Sequence, residues 1–388
     1  MTLFPLIATC VSLLIWIVLT FFRGAFWQLH SFDDDLAQLP EVCRWPRITA
    51  LIPARNEAET ITRTVESLAM QAYPGELQIV VIDDHSEDAT AALARGAAAK
   101  ACSGRRIEII SANGLEEGWT GKLWALQRGV DHVSTEPPDY FWLTDADIVH
   151  APDTLNRLVG RAEKDRLDLT SLMVLLQAKS IPERLLIPPF LYFFLKLYPP
   201  KWIATRESQI AGAAGGCVLL RREALERIGG LTSIRSEVID DCSLARKVKS
   251  SGGAIWMGLT RKSESLRSYT SFREIRDLIA RTAFTQLGYS AVLLIGTILG
   301  MTLTYLLPVI LTFSPVAPIW RISLLTWILM TITYLPTSRY YRLSALWAAT
   351  LPLAAAFYSY ATWVSAVRYW MGRGGQWKGR AQAQGKIP

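Results

Sequence analysis

After Asp277 the chain contains no Asp or Glu, and this one-sided distribution of charge governs what it can fold into. Residues 2–22, 282–320, 322–338 and 343–367 carry no charge at all, the last three being separated by Arg321, Arg339 and Arg342. About 20 helical residues cross the hydrocarbon core of a bilayer, so the first and last of these stretches read as spans. The 39 residues from 282 are too long for one simple span, and Pro308, Pro315 and Pro318 allow a re-entrant or interfacial piece there. Between the apolar ends lies a polar stretch that carries three acidic pairs, Asp83 with Asp84, Asp145 with Asp147, and Asp240 with Asp241.

A net charge of +7 would suggest a nucleic-acid partner if it were spread over the chain. It is not. Nine of the 41 Lys and Arg follow Asp277, which leaves 32 basic against 34 acidic residues before it. The basic excess belongs to the apolar end, where Arg and Lys flank spans and face anionic lipid. No nucleic acid is therefore expected. Cys10, Cys43, Cys102, Cys217 and Cys242 are odd in number and lack a C-x-x-C spacing, so neither a disulfide framework nor a zinc site is indicated. Residues 2–22 lack a basic start and a small-residue cleavage site and are followed directly by Arg23, so 1–24 reads as an uncleaved anchor with its C-terminal end in the cytoplasm.

Residues 25–46 read as a juxtamembrane linker with Asp33, Asp34 and Asp35 and prolines at 40 and 46, doing no more than leading away from the bilayer. From Arg47 the pattern alternates. Ile48 to Ile52, Leu77 to Ile82, Ile107 to Ile110 and Tyr140 to Leu143 are apolar strands, and Ala58 to Met70, Ala89 to Ala101 and Trp124 to His132 are helices. Such alternation predicts an α/β fold with a mostly parallel sheet whose ligands lie at the carboxyl ends of the strands. The domain is expected over 47–283, followed by a transmembrane region over 284–367 with about three hydrophobic segments and a basic tail over 368–388. Within the domain, residues 185–202 are rich in Leu, Phe and Tyr but broken by four prolines. They read as an interfacial element or a buried apolar segment of the soluble domain.

Asp83 and Asp84 end the second strand, where two adjacent carboxylates repel unless a ligand or cation lies near them. Ser86 and Asp88 suit the start of the next helix. Asp145 and Asp147 leave the same face of an extended backbone, a ready site for Mg²⁺ or Mn²⁺ shared with a nucleotide diphosphate. Acidic pairs of that spacing are common on loops, so the motif alone is weak. Asp240 and Asp241 precede a helix with a glycine stop and could simply cap it.

Together the motifs form one pattern. Pro53-Ala-Arg-Asn-Glu57, Ile82-Asp83-Asp84-His85-Ser86-Glu87-Asp88, Gly121-Lys122 with Ala125-Leu126, and Thr144-Asp145-Ala146-Asp147 occur in that order. Ala214-Gly215-Gly216 through Ile228-Gly229-Gly230, and Asp240-Asp241-x-x-Leu244, follow them. Over about residues 47–283 the chain thus resembles the family 2 glycosyltransferases of GT-A fold. The resemblance implies that Asp83 and Asp84 contact the nucleoside, with uracil the usual base, and that Asp145 approaches ribose or metal. It implies further that Asp147 ligates a divalent cation and that Asp241 is the catalytic base of an inverting displacement. Lys122 would meet donor phosphate, Pro53, Arg55 and Glu57 would line the nucleotide pocket, and Gly215, Gly216, Asp240 and Arg281 would lie toward the acceptor. A strand-end salt bridge is the alternative for Arg55 and Glu57.

Processive members of the family carry Q-x-x-R-W after the base, whereas this chain has Leu278-Ile-Ala-Arg281-Thr282. Loss of the Gln and Trp argues for transfer of a single sugar, with a processive polysaccharide synthase as the alternative. The segment from Arg281 to Ser290 and the Trp377-Lys-Gly-Arg tail are most similar to the hopene-associated, or hopanoid-biosynthesis, members. A membrane lipid of the hopanoid class would then be the acceptor, for an integral protein of a bacterial inner membrane with its catalytic domain in the cytoplasm. A dehydrogenase is excluded by the absence of G-x-G-x-x-G after the first strand. A membrane sensor that binds a sugar nucleotide without catalysis stays open, and a transporter is disfavoured by spans that hold no acid. Three spans after a cytoplasmic domain would leave the tail outside, yet Arg368, Arg373, Lys378, Arg380 and Lys386 favour the cytoplasm.

Overall fold

The structure is a computed structural model that describes residues 3–34, 44–101, 104–372, 376–377 and 380–381. Asp35 and Pro40 of the linker, Cys43, Cys102, and Arg373, Lys378 and Lys386 of the tail lie outside the described residues. The chain divides into two compact units. A helical unit takes residues 1–29, 177–201 and 268–375, and an α/β unit is built on 30–176 and 202–267.

The α/β unit holds one eight-stranded sheet of β1 (Ile48–Ala54), β2 (Leu77–Asp83), β3 (Arg106–Ser111), β4 (Tyr140–Thr144), β5 (Ile148–His150), β6 (Leu169–Leu175), β7 (Cys217–Arg221) and β8 (Ile255–Ser265). Their spatial order is β3-β2-β1-β4-β7-β6-β8-β5. Strands β3, β2, β1 and β4 run parallel, as do β6 and β8, whereas β7 is antiparallel to both neighbours and β5 to β8. The sheet is therefore mixed but mostly parallel. All seven residues of β1 are buried, as expected of a central strand covered on both faces. Helix Ile61–Ala69 buries Ile61, Val65 and Leu68, and Thr154–Lys164 buries Leu155, Leu158, Val159 and Ala162, the one-sided spacing of helices packed on a sheet.

Helix Gly121–His132 packs so closely that a Cβ at Gly129 would fall 2.9 Å from a Leu51 methyl and 3.0 Å from one of Ile82. Glycine permits that approach, and it brings the helix start to the carboxyl ends of β1 and β4. The linker's beginning does more than lead away from the bilayer. Ser31 bridges to Leu259, Phe32 is buried beside Trp256, and Asp33 accepts from Thr260 Oγ1 (2.7 Å) and Arg261 N (2.6 Å).

The helical unit contains three helices long and apolar enough to cross a membrane, Leu3–Phe22, Ala291–Leu311 and Ala317–Tyr340. The 39-residue stretch from 282 resolves into a short helix, Ala283–Gln286, one span and the start of the next. Pro308 lies inside that span and withholds the N–H that would bond the Thr304 carbonyl. Trp16 Nε1 supplies the missing donor at 2.8 Å, with its ring edge-on to Tyr305. Leu351–Trp370 is equally helical but carries Tyr, Ser, Thr and Arg368 and is not among the three.

Residues 177–201 and 268–283, expected within the α/β domain, pack instead in the helical unit. Ile181–Leu197 is one continuous helix despite Pro188 and Pro189, started by a reciprocal Ser180–Glu183 capping box. Its Leu186, Ile187, Leu191 and Tyr192 are buried, and Tyr192 hydrogen-bonds Thr333 at 2.9 Å. The segment thus buries apolar side chains within the helical unit.

Candidate active site

The site grows from the carboxyl ends of the parallel strands. At the end of β2, Asp83 stays partly open and its Oδ1 accepts from Ser86 N at 3.4 Å. Asp84 is wholly buried, its backbone N–H donating to Ala54 O at 2.8 Å. The pair is thereby divided, and Asp83 is the member accessible to a ligand. Arg55 is also buried and clamps the turn, donating to the carbonyls of Asp84 (2.6 Å) and His85 (2.9 Å) and reaching Glu87 at 3.4 Å. Asp88 accepts at 3.0 Å from the N–H of Thr90, the first residue of the following helix.

The D-x-D is not extended. Residues 145–147 form a turn between β4 and β5, closed by Ile148 N donating to Asp145 O at 3.3 Å, so the two carboxylates meet different partners. Asp145 pairs with Lys122 Nζ at 2.9 Å. Asp147 accepts from Ser265 Oγ (3.1 Å) and faces Arg267 Nε (3.4 Å), and Arg267 in turn holds both carboxylate oxygens of Glu57 at 2.9 and 3.1 Å.

Lys122, at the start of its helix, also reaches Asp240 at 3.1 Å, so the second and third acidic pairs converge on one ammonium. Burial alone would lower its pKa, but Asp145, Asp240 and Asp241 outweigh that and hold it above the usual lysine range. Asp240 and Asp241 open the helix Asp240–Ser250. Asp241 uses one oxygen for its neighbour's Cys242 N (2.7 Å) and the other for Gly215 N (2.8 Å). A Cβ on Gly215 would lie 3.3 Å from both Asp241 Oδ2 and Lys122 Nζ, which explains the glycine. Burial first, then the Asp240 charge, push the Asp241 carboxyl up to about 6, with Lys122 pulling the other way. Burial likewise raises Asp145, opposed by Lys122.

Pro53, Lys122, Thr144, Asp145, Gly215, Asp240 and Asp241 line one cleft, with an apolar wall that includes Leu126, Leu231 and Leu244. Residues 49–229 match the family described as Glycosyl transferase family 2. Over these residues the chain is similar to the family 2 glycosyltransferases. The fold agrees, since the mannosyltransferase PcManGT from Pyrobaculum calidifontis, solved with GDP-Man and Mn²⁺, superposes with a TM-score of 0.58 over 94% of this chain and 98% of that one, at 19% identity. The domain therefore has the GT-A fold. Among curated relatives, the amylovoran biosynthesis glycosyltransferase AmsB of Erwinia amylovora is 29% identical over 216 residues, 52% of this chain and 64% of that protein. The 4,4'-diaponeurosporenoate glycosyltransferase of Staphylococcus aureus is 32% identical over 88 residues, 23% of this chain and 21% of that one. The chain thus spans less than two thirds of the length of these relatives.

Within the transferase domain, the expected residues Pro53, Lys122, Asp145, Gly215, Asp240 and Asp241 come together in the cleft. Gly216 stands behind it, where a Cβ would press on Val174 at 3.2 Å. Arg281 follows the helix Phe272–Ala280 in the helical unit. Sequence reading missed Ser265 and Arg267, which lie about 120 positions from Asp147 with no motif to mark them. It also missed His150, although that residue closes the strand directly after the D-x-D. Among the described residues no group of three or more His, Cys, Asp and Glu gathers as a preformed metal cage. The donor set nevertheless suits Mg²⁺ or Mn²⁺, which take one or two protein carboxylates and fill the shell with phosphate oxygens and water.

Proposed function

We propose that this transferase moves one sugar from a nucleotide-diphosphate donor, with UDP the expected nucleotide, to a hydroxyl of a membrane lipid of the hopanoid class, with inversion. The observation that carries the catalytic part is the convergence of Lys122, Asp145, Asp240 and Asp241 on one cleft, with Asp241 aimed by the Gly215 N–H. Asp83 and the region of Arg55 and Glu57 would receive the nucleoside, and Lys122 and Arg267 the diphosphate. Asp145 and Asp147 would hold a divalent cation, which when bound stabilises charge on the leaving diphosphate. Asp241 accepts the proton of the acceptor hydroxyl as its oxygen attacks the anomeric carbon and the bond to the diphosphate breaks. A carboxyl lifted toward neutrality suits that task, because a base works best near the operating pH. The membrane acceptor is supported by three apolar helices in the same chain.

The purified full chain, assayed with a panel of UDP- and GDP-sugars, Mg²⁺ or Mn²⁺, and polycyclic or linear lipid alcohols, should transfer one sugar to a polycyclic lipid. Transfer of many sugars would point to a processive synthase, and nucleotide binding without transfer to any acceptor to the sensor. If only Leu3–Phe22, Ala291–Leu311 and Ala317–Tyr340 cross, two spans follow a cytoplasmic domain and return the basic tail to the cytoplasm, removing the conflict of charge and span number. A reporter fused after Pro388 is expected to be active only in its cytoplasmic form. Periplasmic activity would require a further span, for which Leu351–Trp370 is the candidate.

A further inference from the structure

A Cβ at Gly215 would crowd Asp241 and Lys122, each at 3.3 Å, and two glycines in succession leave a turn that the backbone alone does not fix. Side chains from four strands supply what the glycines lack. Ser171 of β6 brackets Ala214, accepting from its N–H at 2.8 Å and donating to its carbonyl at 3.2 Å. From the other side, Thr144 at the end of β4 donates to Gly216 O at 3.0 Å. Thr144 is backed by His150 of β5, with Nε2 at 2.9 Å, and His150 by Ser263 of β8, with Oγ 2.8 Å from Nδ1.

The direction of this chain is fixed at its end. A carbonyl can only accept, so the single Thr144 proton goes to Gly216 O, and Thr144 Oγ1 must receive the proton on His150 Nε2. Nδ1 is then bare and accepts from Ser263. The imidazole is neutral and in one tautomer, consistent with burial that pushes it down to about 3. Thr144, His150 and Ser263 are all buried, and the His150 ring lies 4.7 Å from that of Trp142, so the relay runs inward from Thr144, which lines the cleft, into a packed floor.

We propose that Thr144, His150 and Ser263 form a positioning relay that holds the Gly215–Gly216 turn, and through the Gly215 N–H the aim of the Asp241 carboxylate. The proposal rests on Asp241 being the base, but its geometry can be tested without that reading. Misplacing a reacting group by an ångström can cost up to about 100-fold in rate. Thr144→Val keeps the shape and removes the hydroxyl, and should lower kcat about 10-fold with the donor KM unchanged, while amide exchange across residues 213–217 quickens. Thr144→Ser restores the hydroxyl and should return both readings to near wild type. His150→Phe combined with Thr144→Val should lose little more than Thr144→Val alone, because the two act through one bond. Equal losses in Thr144→Val and Thr144→Ser, or unchanged exchange and kcat in Thr144→Val, would overturn the relay. If His150→Phe fails to fold, the Thr144 pair still decides. If the wild-type protein transfers no sugar, the functional reading falls while the exchange measurement still judges the relay.

Discussion

Replacing Asp241 with Asn should lower kcat by about 1,000-fold while nucleotide binding persists, within the range that loss of a positioned general base produces. Asp241 receives N–H donors on both oxygens, from Cys242 at 2.7 Å and Gly215 at 2.8 Å. The Asn amide can accept from only one of them and must turn its own N–H₂ toward the other, so the substitution removes the base and disturbs its mounting. Donor binding reads the two effects apart, because the nucleoside contacts expected at Asp83 and the Arg55 turn lie on other strands. Isothermal titration with a non-hydrolysable donor analogue should give a Kd within a few-fold of wild type. Transfer undiminished in Asp241→Asn would remove Asp241 as base. Loss of binding together with transfer would place it in the donor site instead.

Much of this arrangement could be read before any coordinates. The apolar runs of β1, β2 and β4 and the acids that end them announce an α/β sheet with ligands at its carboxyl edge, because a strand covered on both faces must be apolar throughout. What resisted reading depends on tertiary contact. Arg267 is drawn to Asp147 and Glu57 by the return of β8 alongside the turn, and nothing in Ser265-Leu266-Arg267 signals that. The D-x-D was expected to be extended, but Asp145 and Asp147 lie in a turn that aims one at Lys122 and the other at Arg267, a choice set by the antiparallel β5. The helix Ile181–Leu197 was obscured by Pro188 and Pro189, although Ser180-Ile-Pro-Glu183 is a readable capping box with proline in the first turn. Its place in the helical unit has no local signal, since apolar side chains do not say which core they will join.

Lys122→Met should damage the site less than loss of the base, with an added signature in pH. Lys122 is the one cation that pairs with both Asp145 (2.9 Å) and Asp240 (3.1 Å), and it also draws the Asp241 carboxyl downward. Without it three carboxylates share a cleft with no counter-charge, and like charges at close range raise one another's pKa. The sign follows directly. Asp241 serves as base only when ionised, so transfer falls as pH drops through its folded-state value, about 6 with Lys122 present. Removing the ammonium lifts that value, and the acid limb of kcat/KM should move upward from about 6. At pH 7 we expect kcat/KM to fall about 100-fold, partly from lost diphosphate attraction and partly from a base now held protonated. Raising the pH should recover the second part and not the first. Folding should weaken too, since a partly buried pair that loses one member leaves uncompensated charge. Lys122→Arg keeps the charge and should hold the acid limb near its original position. An acid limb that stays at its wild-type position in Lys122→Met would show that the lysine does not govern the ionisation of Asp241, whatever its effect on rate.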